Sequence, residues 1–237
     1  MNTLALVLSC EHAVNTIPTE YRRAFEPWQS LLHTHEAIDF GALEIATGIQ
    51  ETLGCELIQA KSSRLLIDCN RSLSHPTCFS KVSKEFELEV KERLVDEQYL
   101  PFRQAVIEAI QKQLEAKYQV LHLSIHSFTP KLQGQVRQAE FGLLYDPKRA
   151  HEKSFATLWQ AELKDLAPEY RVRKNYPYQG ISDGFTTALR KLFSNEDYLG
   201  LELETNQALV NTPLPLVKKI LVLSLVRAMA SFQDIVG

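Results

Sequence analysis

The stretch LHLSIHSFTP, residues 121–130, places two histidines four apart, His122 and His126. On a helix or on a strand that spacing puts both rings on one face. Other chemistry-bearing residues stand at the edges of apolar runs. TLALVLSC (3–10) is followed by Glu11 and His12, RLLIDC (64–69) opens with Arg64 and runs into Asn70-Arg71, and YLGLELE (198–204) carries Glu202 and Glu204 two residues apart. Gathering such groups is costly unless they are paired or bound to metal. The chemistry that uses imidazoles, carboxylates and an arginine together is metal-assisted hydrolysis. Zinc takes neutral imidazoles and carboxylate oxygens and, in catalytic sites, keeps one position open. It acidifies a water and polarises a carbonyl. A nearby glutamate moves the proton from water to the leaving nitrogen, and an arginine grips a substrate carboxylate through its fork.

The elements that must position these residues follow from hydrophobic pattern. Short runs rich in Leu, Ile and Val at 3–10, 55–60, 64–69, 119–125, 140–145 and 198–204 predict strands inside a sheet covered on both faces. Helical periodicity over 35–53, 99–117, 149–166 and 213–234, the last with Pro213 near its first turn, fills the intervals. Alternation of this kind predicts an α/β fold of three layers, a mostly parallel mixed sheet flanked by helices, in one domain over 1–237. QVLHLSIHSF is then a strand with His126 at its carboxyl end, where open α/β sheets bind ligands. His122 lies deeper and reads as structural.

Composition narrows the class. Hydrophobic residues make up 45% and charged residues 23% of 237, as in a globular protein with a full core. A net charge of −3 argues against a nucleic-acid partner. No apolar run reaches membrane-spanning length. The N-terminal run lacks a basic flank and reads as a first strand rather than a signal peptide. Cys10, Cys55, Cys69 and Cys78 form no CxxC pair and read as reduced core thiols of a cytoplasmic protein.

Seven segments, SCEHAVNTIP (9–18), HEAIDFGA (35–42), SSRLLIDCNRS (62–72), HSFTP (126–130), FGLLYDP (141–147), NYPYQG (175–180) and LELETNQALV (201–210), resemble the N-formylglutamate amidohydrolase family, in that family's order. The family is similar in fold to zinc carboxypeptidases and aspartoacylases. The resemblance implies a zinc-carboxypeptidase-like scaffold holding one zinc ion on His12, His126 and a third ligand. Asn15 stands where carboxypeptidases carry their glutamate ligand, which leaves Asp39 and Glu11 as the alternatives. Adjacent residues on an extended segment point opposite ways, which disfavours Glu11 beside His12 and favours Asp39. His35, a turn before Asp39, is then a neighbour of the metal site or a substrate contact.

The same resemblance implies Asn70 and Arg71 as the grip on the substrate's α-carboxylate and Glu204 as the base with Glu202 as the alternative; Arg64, at the start of its run, reads as a supporting cation. The family often has an arginine at the position of Asn206; Arg137 or Arg190 could replace it. Loop 175–184 reads as a wall over the site, with Tyr176 or Tyr178 offering a hydroxyl to the developing oxyanion. The expected activity is hydrolysis of a small N-acyl amino acid such as N-formylglutamate. The rivals are a carboxypeptidase-like or cell-wall peptide amidase and a non-catalytic binding module on the same scaffold.

Overall fold

The computed structural model describes residues 3–211 and 214–236. Its strands are β1 (Leu4–Cys10), β2 (Glu56–Gln59), β3 (Gln119–Phe128), β4 (Lys131–Leu132), β5 (Gln135–Val136), β6 (Phe141–Leu144), β7 (Val172–Lys174) and β8 (Tyr198–Asn206). Its α-helices are α1 (Ala42–Leu53), α2 (Leu88–Leu94), α3 (Leu100–Glu115), α4 (Ala150–Leu166), α5 (Phe185–Leu189) and α6 (Leu214–Val236). One sheet runs in the order β2-β1-β3-β8-β6-β7. β2, β1, β3 and β8 are mutually parallel, β6 turns antiparallel to β8, and β7 runs parallel to β6.

Every residue of β3 is buried, so this strand has no solvent face and tolerates an unbroken apolar run. On one side, Ile45 and Ile49 of α1, Phe155 and Trp159 of α4, and Leu225 and Phe232 of α6 pack on Leu6, Leu8, Leu121 and Leu123. On the other, Val106 and Ile110 of α3 and Phe185 and Leu189 of α5 cover Val7, Val120 and Tyr198. These are the three expected layers, with a mixed, mostly parallel sheet. A separate apolar cluster joins Tyr21 and Phe25, on the segment leaving β1, to Leu65, Leu66, Ile67 and Tyr99, on the segment leaving β2.

That lobe explains the main departure from the sequence reading. RLLIDC is not a strand: Leu66 N–H reaches Ser63 O and Asp68 N–H reaches Cys78 O, folding the run into turns. Its apolar side chains are buried against the lobe instead of a ladder, and a run this short does not distinguish the two. The helix expected from residue 35 starts at Ala42, because Gly41 before it has φ +79° and breaks the helical path. A Cβ at Gly41 would also stand 2.6 Å from Val210 Cγ2. The helix expected over 99–117 continues a helical stretch from Leu88 through one π turn at Val95–Tyr99. Pro213 lies outside the described residues. Among those residues no helix is long and apolar enough to cross a membrane, and the four cysteines are free.

Candidate metal and catalytic site

The C-terminal ends of β1, β3 and β8 lie side by side, and their terminal residues define the site. Parallel pairing sets Ser9 beside Ser124 and His126 beside Glu204. Glu11 and His12 continue beyond β1. Asp39 is brought in by the turn before α1: its N–H donates to His12 O at 3.1 Å, which ties the two backbones together.

The rings of His12 and His126 have centroids 4.9 Å apart. Both turn Nδ1 toward one carboxylate oxygen, Asp39 Oδ2, at 3.2 Å from His12 and 2.9 Å from His126. Both lean Nε2 on a further buried carboxylate, Asp68 Oδ1 at 2.8 Å for His12 and Glu11 Oε2 at 3.3 Å for His126. Metal-binding histidines are characteristically backed in this way, which fixes the tautomer and raises ligand basicity. Arg64 Nη1 lies 3.2 Å from His12 Nδ1, while its Nη2 pairs with Asp68 Oδ2 at 3.1 Å. A guanidinium N–H facing Nδ1 and a carboxylate against Nε2 favour the tautomer with its lone pair on Nδ1. His12, Asp39 and His126 thus offer three buried ligand atoms within 4.8 Å of one another, a group that could hold a metal ion. Glu11 is not in this group: it sits behind His126, receiving the Ser9 and Ser124 hydroxyls at 2.6 and 2.7 Å.

The electrostatics point the same way. Three buried carboxylates, Glu11, Asp39 and Asp68, surround the two rings, and Arg64 pairs with Asp39 and Asp68. Burial opposes ionisation of Asp39, but the charge and hydrogen bonds of His12 and His126 hold it well below the usual carboxylate range. Asp68 is likewise held low by His12 and Arg64 against its burial. Burial would raise Glu11, yet His126 and the two serines hold it at about 2. Burial would discharge His126, yet Asp39 and Glu11 keep its affinity for positive charge well above that of a free imidazole.

Glu204 behaves oppositely. Burial pushes its carboxyl up to about 8, with Asp39 and Glu202 adding and His126 and Arg64 opposing. Its Oε2 is buried with no hydrogen-bond partner among the described residues, the condition of a group waiting for a ligand. Glu202 sits two residues deeper and receives the Thr186 hydroxyl on Oε1 at 2.5 Å. Both glutamates line a cavity of about 210 Å³ together with His12, Asp39, Arg64, Asn70, Arg71, His126 and Tyr178.

Asn70 and Arg71 are held by the lobe side. Tyr99 OH donates to Arg71 O at 2.8 Å, and Asn70 Oδ1 receives the Phe185 N–H that opens α5 at 2.7 Å. Arg71 Nη1 donates to Asp183 O, which draws loop 175–184 onto the cavity. Gly142 makes that closure feasible. It lies opposite Glu204 in the β6–β8 pair, and a Cβ there would collide with Tyr176 O.

Some expected contacts are elsewhere. Arg137 does not line this cavity; it stands behind Tyr178, donating to its hydroxyl at 3.2 Å. Arg190 is buried in an ion pair with Glu152. His35 faces an adjoining cavity of about 420 Å³ that shares Asp39, Arg64 and Tyr178. The two asparagines at departures from the family pattern are structural: Asn15 donates to Leu32 O, and Asn206 donates to Arg137 O and Ala139 O. Sequence reasoning missed Asp68 and Gly142. The signal for Asp68 was present, an acid inside an apolar run four residues after an arginine.

A model of the N-formylglutamate amidohydrolase family matches residues 4–211. Among solved structures, a gene product of Agrobacterium tumefaciens is 27% identical with a TM-score of 0.84, the match covering 98% of this chain and 92% of that one. An N-formylglutamate amidohydrolase from Ralstonia eutropha JMP134 is 19% identical with a TM-score of 0.74, covering 100% and 96%, a likeness of fold. No curated protein sequence matches the chain. The family match spans all of the sheet and every residue of the site described above, and the chain belongs to the N-formylglutamate amidohydrolase family.

Proposed function

We propose that this member of an amidohydrolase family is a zinc-dependent enzyme, with one ion per chain, that cleaves the amide bond of a small N-acyl amino acid, N-formyl amino acids being the class to test. The observation that carries this reading is the pair of facing Nδ1 atoms with Asp39, each ring backed on Nε2 by a buried carboxylate, Asp68 or Glu11. Two imidazoles and a carboxylate with an open position suit catalytic zinc. When bound, the ion would supply Lewis acidity toward a carbonyl oxygen and a water.

The chain's own residues do the rest. Glu204 takes the proton of the attacking water and delivers it to the leaving nitrogen. Its carboxyl, raised to about 8 without a cation beside it, would be drawn back toward neutrality by positive charge at the neighbouring site. That is the range in which a base also serves as an acid. Arg71, whose buried Nε has no partner among the described residues, and Asn70 anchor the substrate's α-carboxylate. Arg64 keeps Asp39 and Asp68 ionised and oriented. Tyr178 closes one side of the cavity and offers its hydroxyl to the substrate, with Arg137 behind it.

The drawn-in loop 175–184 and the small cavity support an amino acid derivative over a peptide, which needs an open groove. The test is metal analysis of the purified protein, followed by hydrolysis of N-formyl amino acids before chelation, after chelation and after zinc is restored. Activity should vanish and return. Full activity after complete metal removal would overturn the reading.

A further inference from the structure

An acidic amino acid brings two carboxylates into the site, and the 210 Å³ cavity has a cation for one of them. Two arginines line it. The terminal nitrogens of Arg64 are engaged by Asp39, Asp68 and His12. Arg71 spends Nη1 on Asp183 O and keeps its buried Nε unpartnered, leaving a single guanidinium edge for a single carboxylate. Among the described residues no third arginine or lysine lines the cavity. Arg137 is held by Tyr178 outside the cavity, and Arg190 donates through all three nitrogens, to Glu152, Gly180 O and Gly200 O.

What stands beside the Asn70–Arg71 grip is another acid. A Cβ built on Gly184 lies 3.4 Å from Asn70 Oδ1 and 3.6 Å from Glu202 Oε1, so these two side chains share one stretch of wall that the glycine keeps open. Glu202 Oε1 is occupied by the Thr186 hydroxyl, while Oε2 has no partner among the described residues. A carboxylate held at Arg71 therefore sets the substrate side chain near a carboxylate whose second oxygen is free to accept.

We infer that the amino acid half of the substrate carries a hydrogen-bond-donating side chain, an amide or an amine, and that Glu202 recognises it and turns away an acidic one. This rests on the amidohydrolase reading above. Like charges in a small cavity reject strongly, and a half-buried acceptor left unpaired there discriminates by about tenfold or more.

The test compares kcat/KM of the zinc-loaded enzyme on N-formyl-L-glutamine, N-formyl-L-lysine and N-formyl-L-glutamate. One of the first two should exceed the third by about tenfold or more, and which one separates amide from ammonium. Glu202→Gln, nearly the same in shape, should collapse that ratio by raising the rate on the acidic substrate. Equal or better use of N-formyl-L-glutamate by the native enzyme, or an unchanged ratio in the variant, would overturn the inference. If no formyl amino acid is turned over, the failure belongs to the hydrolysis reading. Glu202 is then judged by calorimetric binding of free L-glutamine, L-lysine and L-glutamate to the zinc-loaded protein, where glutamate binding as tightly as the others would sink the assignment.

Discussion

His122 and His126 occupy one face of one strand, both buried, and their fates are opposite. The ring nitrogens of His122, in mid-sheet, meet hydroxyls: Ser9 Oγ at 2.8 Å from Nε2 and Tyr198 OH at 2.8 Å from Nδ1. Burial drives it down to about 4, with Arg190 and His126 adding and Glu11 opposing, so it is a neutral ring near pH 7. His126, at the strand's end, meets carboxylates on both nitrogens and is held ready for positive charge. Residue type, face and burial are shared; depth in the sheet is not. Inside the ladder the neighbours come from other strands and are chosen for packing. At the strand end loops can deliver acids, as the turn before α1 delivers Asp39.

The comparison breaks most visibly when each ring is removed. His126→Ala should abolish metal binding and lower the rate on a formyl amino acid by about a thousandfold or more, given the several kcal/mol a catalytic metal contributes. His122→Ala should leave turnover per folded molecule nearly intact and cost about 2–4 kcal/mol of stability, through a cavity and two buried hydroxyls left unpaired. Kinetics, metal content and urea denaturation separate the two outcomes, and a His122 variant that loses zinc while folded would erase the distinction. Next in size, Glu204→Gln should lower kcat by about a hundredfold or more with little change in product binding.

How much of this is legible in sequence follows the same division. β1, β3 and β8 are legible because burial on both faces writes itself as continuous apolar runs, and the strand-end position of His126 follows from them. RLLIDC has the same composition yet is buried against the lobe of Tyr21, Phe25 and Tyr99, a tertiary fact no local pattern carries. Reading it as a strand hides Asp68, which in turns faces His12. Asp39 enters through family resemblance, because its place depends on where the chain re-crosses the sheet edge before Gly41. Gly142 is silent until the loop carbonyl of Tyr176 is seen in the space of its missing side chain.

The carboxylates behind the two ligand rings sharpen the comparison at smaller scale. Glu11→Gln should keep the packing beside Ser9 and Ser124 while removing the charge behind His126, and Asp68→Asn should do the same behind His12. Zinc affinity, followed by competition with a chromogenic chelator, should fall by about 10–100-fold in each. An unchanged affinity would mean that the imidazoles need no buried charge to hold them.

The smallest effect is the pH slope that His122 contributes. Its folded pKa, about 4, lies below that of a free histidine, about 6.5. Between those values the unfolded chain binds the proton and the folded chain does not. Stability from this residue is therefore complete above the unfolded value and is lost as pH falls toward the folded one. From pH 7 to 5.5 the loss is about 1 kcal/mol, and it deepens further toward pH 4. Stability from Glu11, held at about 2, is complete above the usual glutamate range and is lost only as pH falls from there toward 2. His126 runs the other way, since its folded affinity for the proton is raised: stability from it is present at low pH and is lost as pH rises through its folded value. The measurement that isolates His122 is thus a difference, denaturation of the native chain against His122→Gln at matched pH. The native chain should lose more stability than the variant between pH 7 and 5.5. Parallel curves would mean that the mid-sheet ring takes up its proton as readily folded as unfolded, and that depth in the sheet is not what separates it from His126.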